Sequence, residues 1–106
     1  MSKRVLNFFI LTALCAIPAM AATTTLTGVI TDDMCGQKHM MPGQSDADCT
    51  RACVKHGAKF AVFAGGKLYI LDGKSTEVSA LAGQKATVSG ALSGTTLTVS
   101  SIAAAR

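Results

Sequence analysis

The chain has no tryptophan and few aromatic or charged residues. Aromatic residues make up 5% of its 106 residues and charged residues 15%. This composition excludes a disordered acidic tail, a coiled coil and a collagen-like chain. A length near 100 residues fits one domain and excludes a multi-domain enzyme.

Common catalytic and cofactor motifs are absent as well. The sequence has no Gly-rich phosphate loop, no Ser-His-Asp order, no paired catalytic carboxylates, no C-x-x-C pair and no C-x-x-C-H haem motif. Cys53 and His56 are close enough in sequence for the imidazole to lower the pKa of the thiol, so thiol redox activity stays open. We otherwise expect no enzymatic activity.

The N-terminal segment has the three parts of a secretory signal peptide. Lys3 and Arg4 form a basic start, residues 5–16 are largely apolar, and residues 19–21 are the small-residue end Ala-Met-Ala. The apolar run is shorter than the roughly 20 residues of a membrane-spanning helix, and Pro18 interrupts it. We therefore predict that a signal peptide, residues 1–21, is removed.

Removal of the signal peptide changes what the charge of the chain implies. The net charge falls from +4 to +2, because Lys3 and Arg4 leave with it. The remaining lysines and arginines are scattered singly, so no basic patch is available to bind nucleic acid or an anionic membrane. We expect a single periplasmic or secreted domain, residues 22–106, that binds neither nucleic acid nor membrane.

Short β-strand patterns dominate this mature domain. Segments rich in β-branched residues or with period-two alternation cover residues 23–31, 60–64, 67–71, 86–92 and 96–100. Gly65-Gly66 predicts a two-residue hairpin between the second and third strands. A short helix over residues 75–81, with Ser75 as its N-cap, is predicted between the third and fourth strands.

This order of elements predicts a mainly β fold, a small five-stranded OB-like Greek-key barrel. A two-layer sheet with a helix packed on one face is the competing arrangement. An inserted Cys/His loop and helix, residues 32–57, lies between strands 1 and 2. Ser45 and Asp48 resemble a capping box, and Gly57 is placed just beyond the helix C-terminus, so the helix is predicted over residues 46–56.

The insertion carries every chemically unusual residue of the mature chain. Its three cysteines and two histidines fall within 22 positions of one another; they are Cys35, His39, Cys49, Cys53 and His56. On a helix Cys49, Cys53 and His56 share one stripe, and the loop that carries Cys35 and His39 can fold back over it. These five residues are the candidate site.

A soft metal ion is the first interpretation of this cluster. Thiolate and imidazole are the ligands that Zn(II) and copper select, and a tetrahedral site needs four of them. Three cysteines and one histidine would supply those ligands, with the second histidine as a spare or supporting group. Nearby methionines add soft thioethers, which favours Cu(I). The expected cofactor is therefore Cu(I) or Zn(II).

A disulfide is the alternative interpretation, because a secreted chain reaches an oxidising compartment. A bridge between Cys49 and Cys53 would be strained on a helix, so Cys35 would pair with one of them and leave a thiol over. In a domain of this size such a bridge would contribute about 2–4 kcal/mol. The chain would then be an interaction module for an unknown protein partner, without metal or catalysis.

The residues of the insertion resemble an uncharacterised family of small secreted bacterial proteins. Their shared pattern is D-x-x-C-G-x-x-H…C-x-x-x-C-x-x-x-G, which this chain matches at Asp32, Cys35, His39, Cys49, Cys53 and Gly57. His56 lies outside the shared positions. The resemblance covers nearly all of the mature chain and implies a secreted location and an OB-fold-like domain, but no activity.

Overall fold

The computed structural model describes residues 22–36 and 45–105, and this part of the chain is mainly β. Its elements are β1 (Thr23–Asp32), α1 (Asp46–Lys55), β2 (Phe60–Ala64), β3 (Lys67–Asp72), α2 (Ser75–Ala80), β4 (Lys85–Ser93) and β5 (Thr96–Ala104). The five predicted strands and both predicted helices are confirmed with small differences at their ends. The predicted signal peptide, residues 1–21, lies outside the described residues.

The five strands form one sheet that closes on itself in the order β1-β2-β3-β5-β4. All neighbouring strands are antiparallel except β3 and β5, which pair in parallel through Leu71 and Leu97. Each of these strands therefore has two hydrogen-bonded neighbours. Glycine is required at Gly90, where the register of β4 and β5 shifts, because a Cβ there would collide with the Thr98 carbonyl oxygen.

Alternation along the strands produces the apolar core of the sheet. Ile30, Val62, Val88 and Leu97 are fully buried, one from each of four strands. Val78 of α2 is also fully buried and joins the same cluster, so the second helix covers part of this core. Burial of these side chains is the main force that holds the sheet together.

Of the two features predicted on either side of β3, the hairpin before it is confirmed and the N-cap after it is wrong. Gly65 and Gly66 have φ values of +58° and +78°, as a type I′ hairpin between β2 and β3 requires. The prediction that Ser75 is the N-cap of α2 is wrong. Lys74 holds that position with a left-handed φ of +48° and makes no side-chain capping bond. The left-handed conformation of Lys74 lets the helix begin at Ser75 itself, so this serine is the first helical residue and not the cap.

Candidate metal centre

The N-terminus of α1 is fixed by a cap and by a close backbone contact. The Ser45 hydroxyl accepts a hydrogen bond from the Asp48 N–H at 3.2 Å, which confirms the predicted cap. The loop after α2 packs on the first turn, where a Cβ on Gly83 would lie 2.7 Å from the Ala47 nitrogen. The Gly83 N–H also donates to the Ile30 carbonyl at 2.8 Å. Gly83 thereby ties the start of α1 to the sheet.

The C-terminus of α1 is closed by a Schellman motif. The Gly57 N–H donates to the Val54 carbonyl at 3.1 Å, and the Ala58 N–H donates to the Cys53 carbonyl at 3.0 Å. Gly57 has a φ of +107°, so the predicted role of this glycine is confirmed. The helix ends at Lys55, one residue earlier than predicted. These bonds hold the last turn, including Cys53, in a defined position.

A tight turn after β1 positions the third thiol. The carboxylate oxygen Oδ1 of Asp32 accepts hydrogen bonds from the backbone N–H groups of Met34 at 3.0 Å and Cys35 at 2.8 Å. The Gly36 N–H donates to the Asp32 carbonyl at 2.9 Å, and the Thr31 hydroxyl donates to the Gly36 carbonyl at 2.6 Å. The turn therefore fixes the backbone of Cys35 from the end of a sheet strand.

The turn and the helix bring three thiols together. The Cys35 Sγ lies 3.3 Å from the Cys53 Sγ and 3.9 Å from the Cys49 Sγ, and all three sulfurs lie within 4.8 Å of one another. Cys49 and Cys53 are buried and Cys35 is half-buried. Thiolates bound at about 2.3 Å to one tetrahedral Zn(II) are separated by about 3.8 Å. The spacing of the three sulfurs is therefore compatible with a shared ion.

The predicted bridge from Cys35 is not present in the described structure. A disulfide joins sulfurs at about 2.05 Å, well below the separations of 3.3 Å and 3.9 Å from Cys35 to its two neighbours. Cys35, Cys49 and Cys53 are all free. The cluster is thus a set of three thiol donors, with Ala58 packed beside them.

The environment of the cluster keeps the Cys53 thiol protonated. Its pKa is raised to about 12, first by the hydrogen bond shared with the Cys35 thiol and then by burial. The negative charge of Asp32 and the neighbouring thiols raise the pKa further. A nucleophilic cysteine needs thiolate character near neutral pH. The raised pKa argues against a nucleophilic role for Cys53, whereas a bound cation would compensate the charge of its thiolate.

The predicted histidine ligands lie apart from these donors or outside the described residues. His56 is the C-cap of α1 and is exposed, and the group of donors within 4.8 Å contains cysteines alone. His39 lies outside the described residues. Met34, one of the methionines that favoured Cu(I), is 66% exposed and presents no buried thioether to the thiols.

Asp32 is a residue that sequence analysis left out of the candidate site. Its side chain is fully buried, and Oδ2 has no hydrogen-bond partner among the described residues. The D-x-x-C spacing offered a sign of its role, because an aspartate commonly accepts hydrogen bonds from backbone N–H groups two and three residues later. Its burial depends on the packing of the segment and could not be deduced from spacing.

Comparison with known proteins assigns neither a family nor a function to the chain. No protein-family model, no curated protein and no solved structure matches the chain. In the described part of the chain, neither helix is long and apolar enough to cross a membrane. The function therefore has to be inferred from the thiol cluster and its surroundings.

Proposed function

We propose that this protein is a small periplasmic or secreted metal-binding protein that holds one soft ion, Cu(I) or Zn(II), through Cys35, Cys49 and Cys53. His39 is the proposed fourth ligand, because it follows Cys35 by only four residues. The gathering of three thiols within 4.8 Å, from two separate elements, is the observation that carries this proposal. Soft thiolates favour Cu(I) and Zn(II) over hard cations such as Mg²⁺ and Ca²⁺.

The surroundings of the thiols also support a structural rather than a reactive role. Two of the three are buried, and the backbone of each supporting element is fixed by its own hydrogen bonds. Such a site is organised before the ion arrives, which reduces the ordering that binding must supply. Because thiols must lose their protons to bind metal, affinity should fall as the pH is lowered.

Metal titration of the reduced, purified protein tests the proposal. We expect one Cu(I) or Zn(II) per chain, measured by competition with a chelator of known affinity. Cys53→Ser should weaken binding by more than about 100-fold, beyond the loss typical of a supporting residue. His39→Ala should lose part of the affinity. Uptake of neither ion by the reduced wild-type protein would contradict the proposal.

His56→Ala is the matched control for His39→Ala. Both substitutions remove an imidazole from the same segment, but His56 is exposed and lies outside the thiol group. We expect the His56 variant to bind metal like the wild type. Equal losses in the two variants would mean that neither histidine acts as a specific ligand.

A disulfide-stabilised interaction module is the second candidate. The 3.3 Å between the sulfurs of Cys35 and Cys53 favours it, because a small movement would allow oxidation in a secreted protein. The oxidised chain would be two mass units lighter, bind no metal and be destabilised by reductant alone. Peptide mapping of protein extracted with immediate alkylation distinguishes this form from a reduced, metal-bound one.

We also propose the OB-like Greek-key assignment and the secreted family that the sequence resembles. The parallel pairing of β3 with β5, together with a helix between β3 and β4, supports an OB-like connectivity. Secretion predicts cleavage after Ala21, which the intact mass of the exported protein would reveal. Exported protein that retains residues 1–21 would contradict this part of the proposal.

A further inference from the structure

We propose that Asp32 sets the ion preference of the three-thiol centre, because its buried negative charge disfavours a monovalent ion relative to a divalent one. This inference rests on the proposed metal binding and deepens it. It assigns to Asp32 a role in specificity beyond its role in the turn that carries Cys35. The two carboxylate oxygens of Asp32 lie in different environments.

One oxygen of Asp32 has a structural role and the other has none. Oδ1 accepts the backbone N–H groups of Met34 and Cys35. Oδ2 is buried and has no hydrogen-bond partner in the described part of the chain. A buried oxygen without a partner is costly for a protein to keep. A neutral side-chain oxygen could accept both hydrogen bonds of the turn. The turn alone therefore does not explain why the buried side chain is a carboxylate.

The charge of Asp32 acts on the thiols through space. The side chain is fully buried, and its Oδ1 accepts the Cys35 N–H at 2.8 Å, so the carboxylate lies beside the backbone of the residue that carries the third thiol. Its oxygens lie outside the group of donors within 4.8 Å of one another, which consists of the three sulfurs. Asp32 therefore acts on the centre as a neighbouring charge in this arrangement. Burial limits the screening of that charge by salt and water.

Charge balance then separates the two candidate ions. Three thiolates with Zn(II) carry a single net negative charge, whereas three thiolates with Cu(I) carry two. The Coulomb energy between Asp32 and the centre is proportional to that net charge. Repulsion by Asp32 is therefore twice as large for the Cu(I) centre as for the Zn(II) centre. The difference favours the divalent ion whatever the intrinsic affinity of the thiolates.

The test compares Asp32→Asn with Asp33→Asn in the full mature protein. Asparagine keeps an oxygen that can accept the N–H groups now bound by Asp32 Oδ1, and removes the charge. Asp33 is the matched control, because it is exposed and its Oδ1 likewise accepts a backbone N–H, from Lys59 at 2.9 Å. Competition with chelators gives the Zn(II) and Cu(I) affinities of each variant at one pH. The number of protons released shows whether both ions bind the same number of thiolates.

We expect Asp32→Asn to lower the ratio of Zn(II) to Cu(I) affinity by about tenfold or more, as one unit of charge near a buried site implies. Asp33→Asn should leave the ratio within about threefold of the wild type, because its charge is screened by solvent. Asp32→Ser, which keeps a weaker acceptor for the turn, should shift the ratio in the same direction if the asparagine variant does not fold.

The possible failures point to different errors. A wild-type protein that binds neither ion contradicts the proposed function itself. Binding with an unchanged ratio in both Asp32 variants overturns the role of Asp32 and leaves metal binding intact. An equal shift in Asp33→Asn would also overturn it, because a general surface charge would then explain the effect.

Discussion

The closed sheet and the described parts of the inserted segment, residues 32–36 and 45–57, are held together in different ways. Ten buried residues form the core of the sheet and of α2. The second cluster is small, with Cys49, Cys53 and Ala58 buried and Cys35 packed against them. The sheet therefore derives its stability from apolar burial and strand pairing. The structure of the inserted segment depends on the caps of α1, on the turn formed by Asp32 and on any ion that its thiols bind.

This contrast separates the fold from the function. Large apolar side chains in the sheet core make its stability independent of any ligand. The thiols of the small cluster bury less apolar surface than the side chains of the sheet core, but they can bind metal or be oxidised. An ion bound there would stabilise the native state by about 2.7 kcal/mol at 100 times its dissociation constant. Substitutions in the two regions should therefore have separable effects.

The largest effect is expected from a charge in the sheet core. Val88 is fully buried, so Val88→Asp should leave a carboxylate without a partner and destabilise the fold by more than about 4 kcal/mol. Urea unfolding measures the change. Ser100→Asp on the exposed side of β5 is the control and should change stability by less than about 0.5 kcal/mol. Similar losses in both variants would show that the core is wrongly placed.

A smaller effect is expected where the segment joins the sheet. Gly83→Ala would place a Cβ 2.7 Å from the Ala47 nitrogen and displace the first turn of α1. Gly94→Ala is the control, because Gly94 has a similar positive φ but open space around it. We expect a loss of about 1 kcal/mol for Gly94→Ala from backbone strain. Gly83→Ala should lose more stability and also weaken metal binding, measured by thermal unfolding and titration.

Equal stability and equal metal affinity in Gly83→Ala and Gly94→Ala would contradict this prediction. The packing of the loop on α1 would then have no part in holding the thiols. A loss of stability without a loss of metal affinity would confine Gly83 to a structural role.

The two serines that resemble helix caps should differ by about 1 kcal/mol. Ser45→Ala removes the bond to the Asp48 N–H and should cost about 1 kcal/mol, as expected of an N-cap. Ser75→Ala should have little effect, since Lys74 holds the cap position of α2. Denaturant unfolding of the two variants measures the difference. A larger loss for Ser75→Ala would reverse the assignment of the caps.

The smallest change near neutral pH is expected in the pH dependence of stability that the Cys53 proton causes. Because folding raises the pKa of this thiol from 9.0 to about 12, its contribution is fully present below pH 9. That stability should be lost as the pH rises towards 12. Unfolding of the metal-free protein between pH 8 and about 11 measures the slope. Cys53→Ala should flatten it, and an unchanged slope in this variant would contradict the assignment.

Local features of the sequence predicted most of the fold. The glycines of the β2–β3 hairpin, the Ser45 cap and Gly57 each determine a few hydrogen bonds near them in the chain, so short patterns were sufficient. The start of α2 was missed because Lys74 adopts a left-handed conformation that its residue type does not indicate. Strand patterns identified the five strands, whereas pairing of β3 with β5 depends on contacts distant in sequence.

The candidate site was only partly predictable for the same reason. Helical spacing correctly placed Cys49 and Cys53 on one buried face. It also placed His56 on that stripe, but the helix ends before His56 and leaves it exposed. The approach of Cys35 and the burial of Asp32 both depend on how the turn after β1 packs against α1. Spacing along the chain contains no record of that packing.

Native mass spectrometry of the gently extracted protein, before and after reduction and with and without alkylation, tests the central claim most directly. It counts bound ions and disulfide bridges in the same molecules. We predict one Cu(I) or Zn(II) per chain, with Cys35, Cys49 and Cys53 protected from alkylation until the ion is removed. A protein that carries a bridge to Cys35 after gentle extraction, and takes up no ion once reduced, would contradict the metal centre.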